Sequence, residues 1–149
     1  MTKIEFLKYL AKGWFATSQQ HSIHAQLLKS QGLTKLADKI MAESDEEWEE
    51  AKKVNARLIE LGVMPVVEIS EYPVITDIRE MLEYDFKDAS EALPMMSKAL
   101  AMFDDDYVTK HMIEEFIIGE QDHYNWLKGH ICLIEQIGME NYIIEMLGE

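Results

Sequence analysis

The sequence predicts an all-α fold: a four-helix bundle with a long crossover between its second and third helices and a short fifth helix at the C-terminal end. Three observations carry this. Only three prolines and seven glycines interrupt 149 residues, while Leu, Glu, Lys, Ala and Met are abundant. Those are the residues that lose least on entering a helix. Apolar residues recur at alternating steps of three and four along four long stretches, the spacing of one helix face. One segment, residues 63–75, lacks that period and holds two of the three prolines, Pro65 and Pro73.

The first helix is expected over residues 3–31. Thr2 and Glu5 make a capping-box pattern at its start, and Gly32 stops it. Its stripe runs Leu7, Leu10, Trp14, Thr17, His21, His24, Leu28. The second is expected over 35–61, with Thr34 as its cap and Gly62 and Pro65 ending it. Its stripe passes through Ala37, Ile40, Ser44, Glu47, Ala51, Val54 and Leu58. The crossover is extended, and a dozen extended residues span ~40 Å, enough for the third helix to run parallel to the second.

The third helix starts after Thr76 and ends near Phe103, with a stripe through Ile78, Met81, Asp85, Ala89, Ala92, Met96 and Leu100. Pro94 inside it should kink it or loosen one turn. Asp104, Asp105 and Asp106 place negative charge at the start of the fourth helix, residues 107–136. That stripe includes Ile113, Phe116, Glu120, His123, Leu127, Ile131 and Ile134. Gly138 stops it, and residues 139–147 make the short fifth helix. Two hairpins joined by a crossover give an up-down-down-up connectivity, unlike a bundle with three short loops.

The chain is read as one domain over residues 1–149. Its formal net charge is −14. Such a surface repels nucleic-acid phosphates and anionic membranes, so neither is an expected partner; it suits cations or solubility alone. Cys132 is the only cysteine, which excludes an intrachain disulfide and a Cys-rich zinc module. A reducing, cytoplasmic setting follows as an expectation. No stretch approaches the ~20 apolar residues of a membrane span. The mixed charge of the first eight residues does not read as a secretory signal.

Each stripe is interrupted by a residue type that binds metals: His21, Glu47, Asp85, and Glu120 with His123. A carboxylate on a buried face is costly unless paired, protonated or metal-bound. On a rise of ~1.5 Å per residue, His21 lies ~15 Å and Glu47 ~18 Å from the first hairpin's turn. Asp85 lies ~27 Å, and Glu120 and His123 ~21–26 Å, from the second. Within each hairpin the interruptions are therefore about level. Glu120 and His123, three residues apart, are the ligand unit of carboxylate-bridged di-metal sites in bundles. Glu47 and Glu50 repeat that spacing on the second helix.

From His24-Ala25 and Gly32 to Leu36, through Glu43 to Glu47 and Arg57 to Gly62, to Glu120–His123, Trp126-Leu127, Leu133 to Gly138 and Glu140-Asn141-Tyr142, the sequence resembles bacterioferritin over nearly its whole length. The resemblance implies a ferritin-like fold, a hollow homo-oligomeric shell, Fe(II) oxidation at a di-iron centre in each bundle, and iron storage. It places the family's ligands on Glu47, Glu120 and His123, with Glu50 where the family has a histidine. Two family glutamates fall on Trp14 and Ala89, which carry no ligand atom, and the haem-binding methionine falls on Trp48. Non-haem iron is therefore expected, and haem is not. His21 lies two turns beyond Trp14, and Asp85 one turn before Ala89. Both offsets run toward the same end of an up-down-down-up bundle. A displaced metal site of His21, Glu47, Asp85 and His123, with Glu50 and Glu120 as further ligands, follows as an expectation. Mixed imidazole and carboxylate ligands suit Fe, Mn or Zn.

Blander readings stand beside these. Glu120 with His123 and His21 are otherwise hydrogen-bonded core residues, and Glu47 with Glu50 a solvated acidic run. His24, His111 and His130 read as structural or surface residues, and Trp14, Tyr124 and Trp126 as core aromatics. Catalytic residues are not assigned. The expected function is iron binding and storage, with ferroxidase activity if the altered site works. The alternatives are a shell or interaction subunit without that activity, and a ferritin-like metalloenzyme with other oxygen chemistry.

Overall fold

A computed structural model describes residues 1–148. The elements are α1 (Lys3–Ser30), α2 (Thr34–Glu60), α3 (Ile78–Ala99), a 3-10 turn (Leu100–Phe103) and α4 (Tyr107–Met146). Among the described residues there is no strand. Among the described residues, no helix is long and apolar enough to cross a membrane. The chain divides into two compact units: Met1–Ile75 with the chain end from Met146, and Thr76–Glu145.

In the first unit, α1 begins on the expected capping box. Glu5 N–H donates to Thr2 Oγ1, and Thr2 N–H donates to Glu5 Oε2, each at 3.2 Å. Gly32, at φ 83°, ends the helix with its N–H on Lys29 O. Thr34 does not cap α2. The cap position falls to Leu33, which makes no side-chain hydrogen bond. Leu33 is instead buried, and its N–H bonds Leu28 O at 3.1 Å. Apolar burial fixes this turn, so the hydroxyl is not needed. Midway along the hairpin, Ser18 Oγ donates to Ser44 O at 2.8 Å and Ser44 Oγ to Ser18 O at 2.6 Å. Two small residues facing one another let the backbones approach this closely.

The crossover has no regular structure, as its missing period predicts. Its backbone polar groups still need partners. Asn55 supplies two, donating to Val66 O at 2.9 Å and accepting from Val66 N–H at 2.8 Å. Gln20 donates to Pro73 O at 2.8 Å. His24 Nε2 accepts from Ile75 N–H at 2.9 Å. His24 is thus the structural residue expected, buried and neutral on the nitrogen that accepts.

In the second unit, Asp77 caps α3, accepting from Glu80 N–H at 2.9 Å. Pro94 lies within α3 without ending it. The α-helix stops at Ala99, short of the expected Phe103, and tightens into the 3-10 turn. Asp106 accepts from Thr109 N–H at 3.1 Å at the start of α4, as the aspartate run predicts. Phe86 stacks on Tyr124 at 4.9 Å, and Arg79 reaches Glu135 at 3.8 Å. Partners that ascend along α3 and α4 in opposite directions make these helices antiparallel.

The fifth helix is present as a continuation of α4 beyond a break. Gly138 there has φ 81° and ψ 160°, neither helical. Only glycine visits that region without strain. A Cβ at Gly138 would meet nothing within 4 Å. The cost of Gly138→Ala is therefore conformational alone, about 1–3 kcal/mol. Chemical denaturation of the two proteins checks this; equal midpoints would mean the break does not depend on glycine.

Candidate functional site

Each unit holds one buried carboxylate–imidazole pair. In the first, α1 carries His21 and α2 carries Glu47, 3% and 7% exposed. His21 Nδ1 and Glu47 Oε1 are hydrogen-bonded. In the second, His123 of α4, 4% exposed, meets Asp85 of α3 through Nε2 and Oδ2 at 2.8 Å. The Asp85 side chain is also mostly buried. Four of the six expected site residues are thus joined two by two, each by the partner level with it across its hairpin.

Glu50 lies three residues after Glu47 and Glu120 three before His123, and both are half-buried. They flank the buried faces rather than sit on them. Glu43 is a buried carboxylate that the stripe reading did not single out. It belongs to the acidic run, yet it is only 6% exposed. The signal was present: Glu43 precedes Glu47 by four residues, which puts both on one face of α2.

The pairs have the form that metal-binding histidines take. A ligating imidazole is usually oriented by a carboxylate on its other nitrogen, which fixes the tautomer and raises basicity. Among the described residues, no hydrogen bond reaches His21 Nε2 or His123 Nδ1, both buried. Imidazole nitrogens and carboxylate oxygens together suit borderline divalent ions such as Fe(II). The donor set is compatible with Fe, Mn or Zn.

Beyond the pair in α4, His123 lies parallel to Trp126, with ring centroids 6.2 Å apart. Trp126 is 4.1 Å from His130. His130 Nδ1 is 2.8 Å from the hydroxyl of Tyr142, which is wholly buried. Burial raises the Tyr142 phenol far above its usual range. Burial, then the carboxylates of Asp88 and Asp85, raises the Tyr84 phenol.

The Tyr142 shift has a consequence at alkaline pH. The folded protein keeps the phenolic proton after the unfolded chain has lost it, so the contribution is complete below the unfolded value near 10. It declines as pH rises toward the folded value. For one group the slope is at most about 1.4 kcal/mol per pH unit. Denaturation of Tyr142→Phe over this range should give a flatter decline than the unaltered chain. Parallel declines would refute a proton held at Tyr142.

Comparison with known proteins adds the family. The profile of the ferritin-like domain family matches residues 4–137. The chain belongs to the ferritin-like family. Ferritin-like relatives cover almost all of it. It is 30% identical over 142 residues to a protein named bacterial ferritin from Neisseria meningitidis serogroup B, covering 93% of this chain and 92% of that one. It is 31% identical over 126 residues to a bacterioferritin of Brucella melitensis, covering 83% and 78%. A bacterioferritin of Rhodobacter capsulatus is 30% identical over 149 residues, covering 95% and 89%. The fold class expected from the sequence is that of this family.

Within this ferritin-like chain, the two positions where the resemblance puts glutamates are filled apolar core. Trp14 is 8% exposed and Ala89 1%. Trp14 is the core aromatic expected of it. Trp48, where the resemblance puts a methionine, is half-exposed and meets Phe15 edge-on at 5.0 Å.

Proposed function

We propose that this chain binds Fe(II) and stores iron as ferric mineral inside a homo-oligomeric shell in the cytoplasm. The observation that carries the proposal is the pair of buried carboxylate–imidazole units, His21 with Glu47 and Asp85 with His123, in a ferritin-like chain. His21, Glu47, Asp85 and His123 are the proposed ligands, with Glu50 and Glu120 adding carboxylate from their flanks. The carboxylates neutralise the cation and hold the imidazoles in ligating tautomers. The relatives named bacterial ferritin and bacterioferritin support the iron assignment. Trp48 in place of methionine favours iron handled without haem. Oxidation of the bound Fe(II) by O₂ or peroxide is the chemistry proposed for this altered ligand set.

Anaerobic Fe(II) titration of metal-free protein, followed by admission of O₂, tests it. Saturable binding and ferric-oxo absorbance rising faster than in buffer are expected. No binding would overturn the reading. Trp14 and Ala89 favour a second reading, a shell subunit without ferroxidase activity. Saturable binding with oxidation no faster than in buffer would select it.

A further inference from the structure

We propose that an open groove on the first unit binds small aliphatic ammonium ions, with the charged nitrogen held by Asp45 and Trp48 and the apolar stem along Phe15, Ile23 and Ile69. This goes beyond the iron reading and does not depend on it. The groove is lined by α1, α2 and the crossover and holds about 600 Å³. Its buried lining is neutral. Ser18 and Ser44 are there, but their hydroxyls are spent on each other's backbone carbonyls. Recognition therefore falls to the more exposed side chains.

From α2 come Asp45 and Trp48, three residues apart and so neighbours on one face. Trp48 is 49% exposed and meets Phe15 of α1 edge-on at 5.0 Å, which makes an aromatic corner. Among aromatic side chains, indole attracts a cation over its face most strongly. Asp45 supplies the one formal charge in the groove, and among the described residues it makes no hydrogen bond or ion pair. A lysine stands one turn away on each helix, yet each is engaged elsewhere: Lys12 with Glu68 at 3.1 Å and Lys52 with Glu49 at 2.8 Å. Their charges are committed, and Asp45 is left to an outside cation.

Apolar side chains continue the groove from this corner. Ile23 lies ~12 Å beyond Phe15 along α1, and Ile69 of the crossover adds a third apolar group. An ion with one ammonium head and an alkyl stem matches that order. A carboxylate of the same length would meet Asp45 with like charge. A net charge of −14 raises the local concentration of cations over the same surface. Trp48 offers a ring where the resemblance puts a methionine, so the ligand class follows from this chain's own residues.

Calorimetric titration of the full chain with n-hexylammonium chloride provides the test, with hexanoate and hexanol as controls of the same length. Saturable binding of the ammonium alone is expected. Asp45→Asn and Trp48→Leu should each weaken it by about tenfold. Trp48→Phe, which keeps a ring, should retain most of it. Fe(II) stoichiometry should be unchanged in all three variants, which separates this groove from the iron ligands. Hexanol or hexanoate bound as well as the ammonium would overturn the proposal, because the groove would then select no charge. Ammonium binding undiminished in both Asp45→Asn and Trp48→Leu would overturn it too, as would no saturable binding. A light-scattering mass that falls in Trp48→Leu, with no ammonium bound by the unaltered chain, would make a second copy the occupant instead.

Discussion

Glu47→Ala combined with His123→Ala abolishes saturable Fe(II) binding. The double variant removes one member of each buried pair, so neither unit keeps a carboxylate–imidazole set. The single variants should each weaken binding by about 10–100-fold, the usual range for losing a group that holds or orients a ligand. The folded state also pays a cost: His21 or Asp85 is left buried beside a space, at about 1–3 kcal/mol each. Glu47→Gln and His123→Gln keep the volume and separate ligand loss from cavity formation. Anaerobic calorimetry reads the binding, and circular dichroism verifies that the helices persist. Unchanged stoichiometry in a folded double variant would sink the ligand assignment.

Tyr142→Ala should be the most damaging single change outside the pairs. The ring is wholly buried, and its hydroxyl is held by His130. Truncating a large buried aromatic side chain costs about 3–5 kcal/mol, because lost contacts and a residual cavity add. Tyr142→Phe keeps the ring and loses one hydrogen bond, about 1 kcal/mol. The ratio of the two separates packing from hydrogen bonding. Denaturant midpoints, compared at unchanged slope, measure both. A cost for Tyr142→Ala no larger than that for Tyr142→Phe would show that the ring does not anchor the short helix.

The helices themselves were legible because their signals are local. Thr2 with Glu5, Gly32, Gly62 and Gly138 act through backbone geometry within one turn, and α1 starts while α1, α2 and the long part of α4 stop where those residues predict. The misplaced cap at Thr34 has a physical origin. A hydroxyl near a helix start competes with its neighbours, and burial of Leu33 moves the cap one residue earlier. The polar interruptions were legible too, because a carboxylate or imidazole on an apolar stripe conflicts with burial.

Which polar atoms meet is another matter. His21 and Glu47 are 26 residues apart and Asp85 and His123 38. Periodicity puts each on the correct face, but the spacing between helices and the side-chain rotamers choose the partner. Packing likewise buries Glu43 within an acidic run, turns His24 toward Ile75, and brings Tyr142 onto His130 past the break at Gly138. Helix period and capping depend on residues three or four apart, so they can be read along the chain. These contacts depend on distances across helices, which no periodicity encodes.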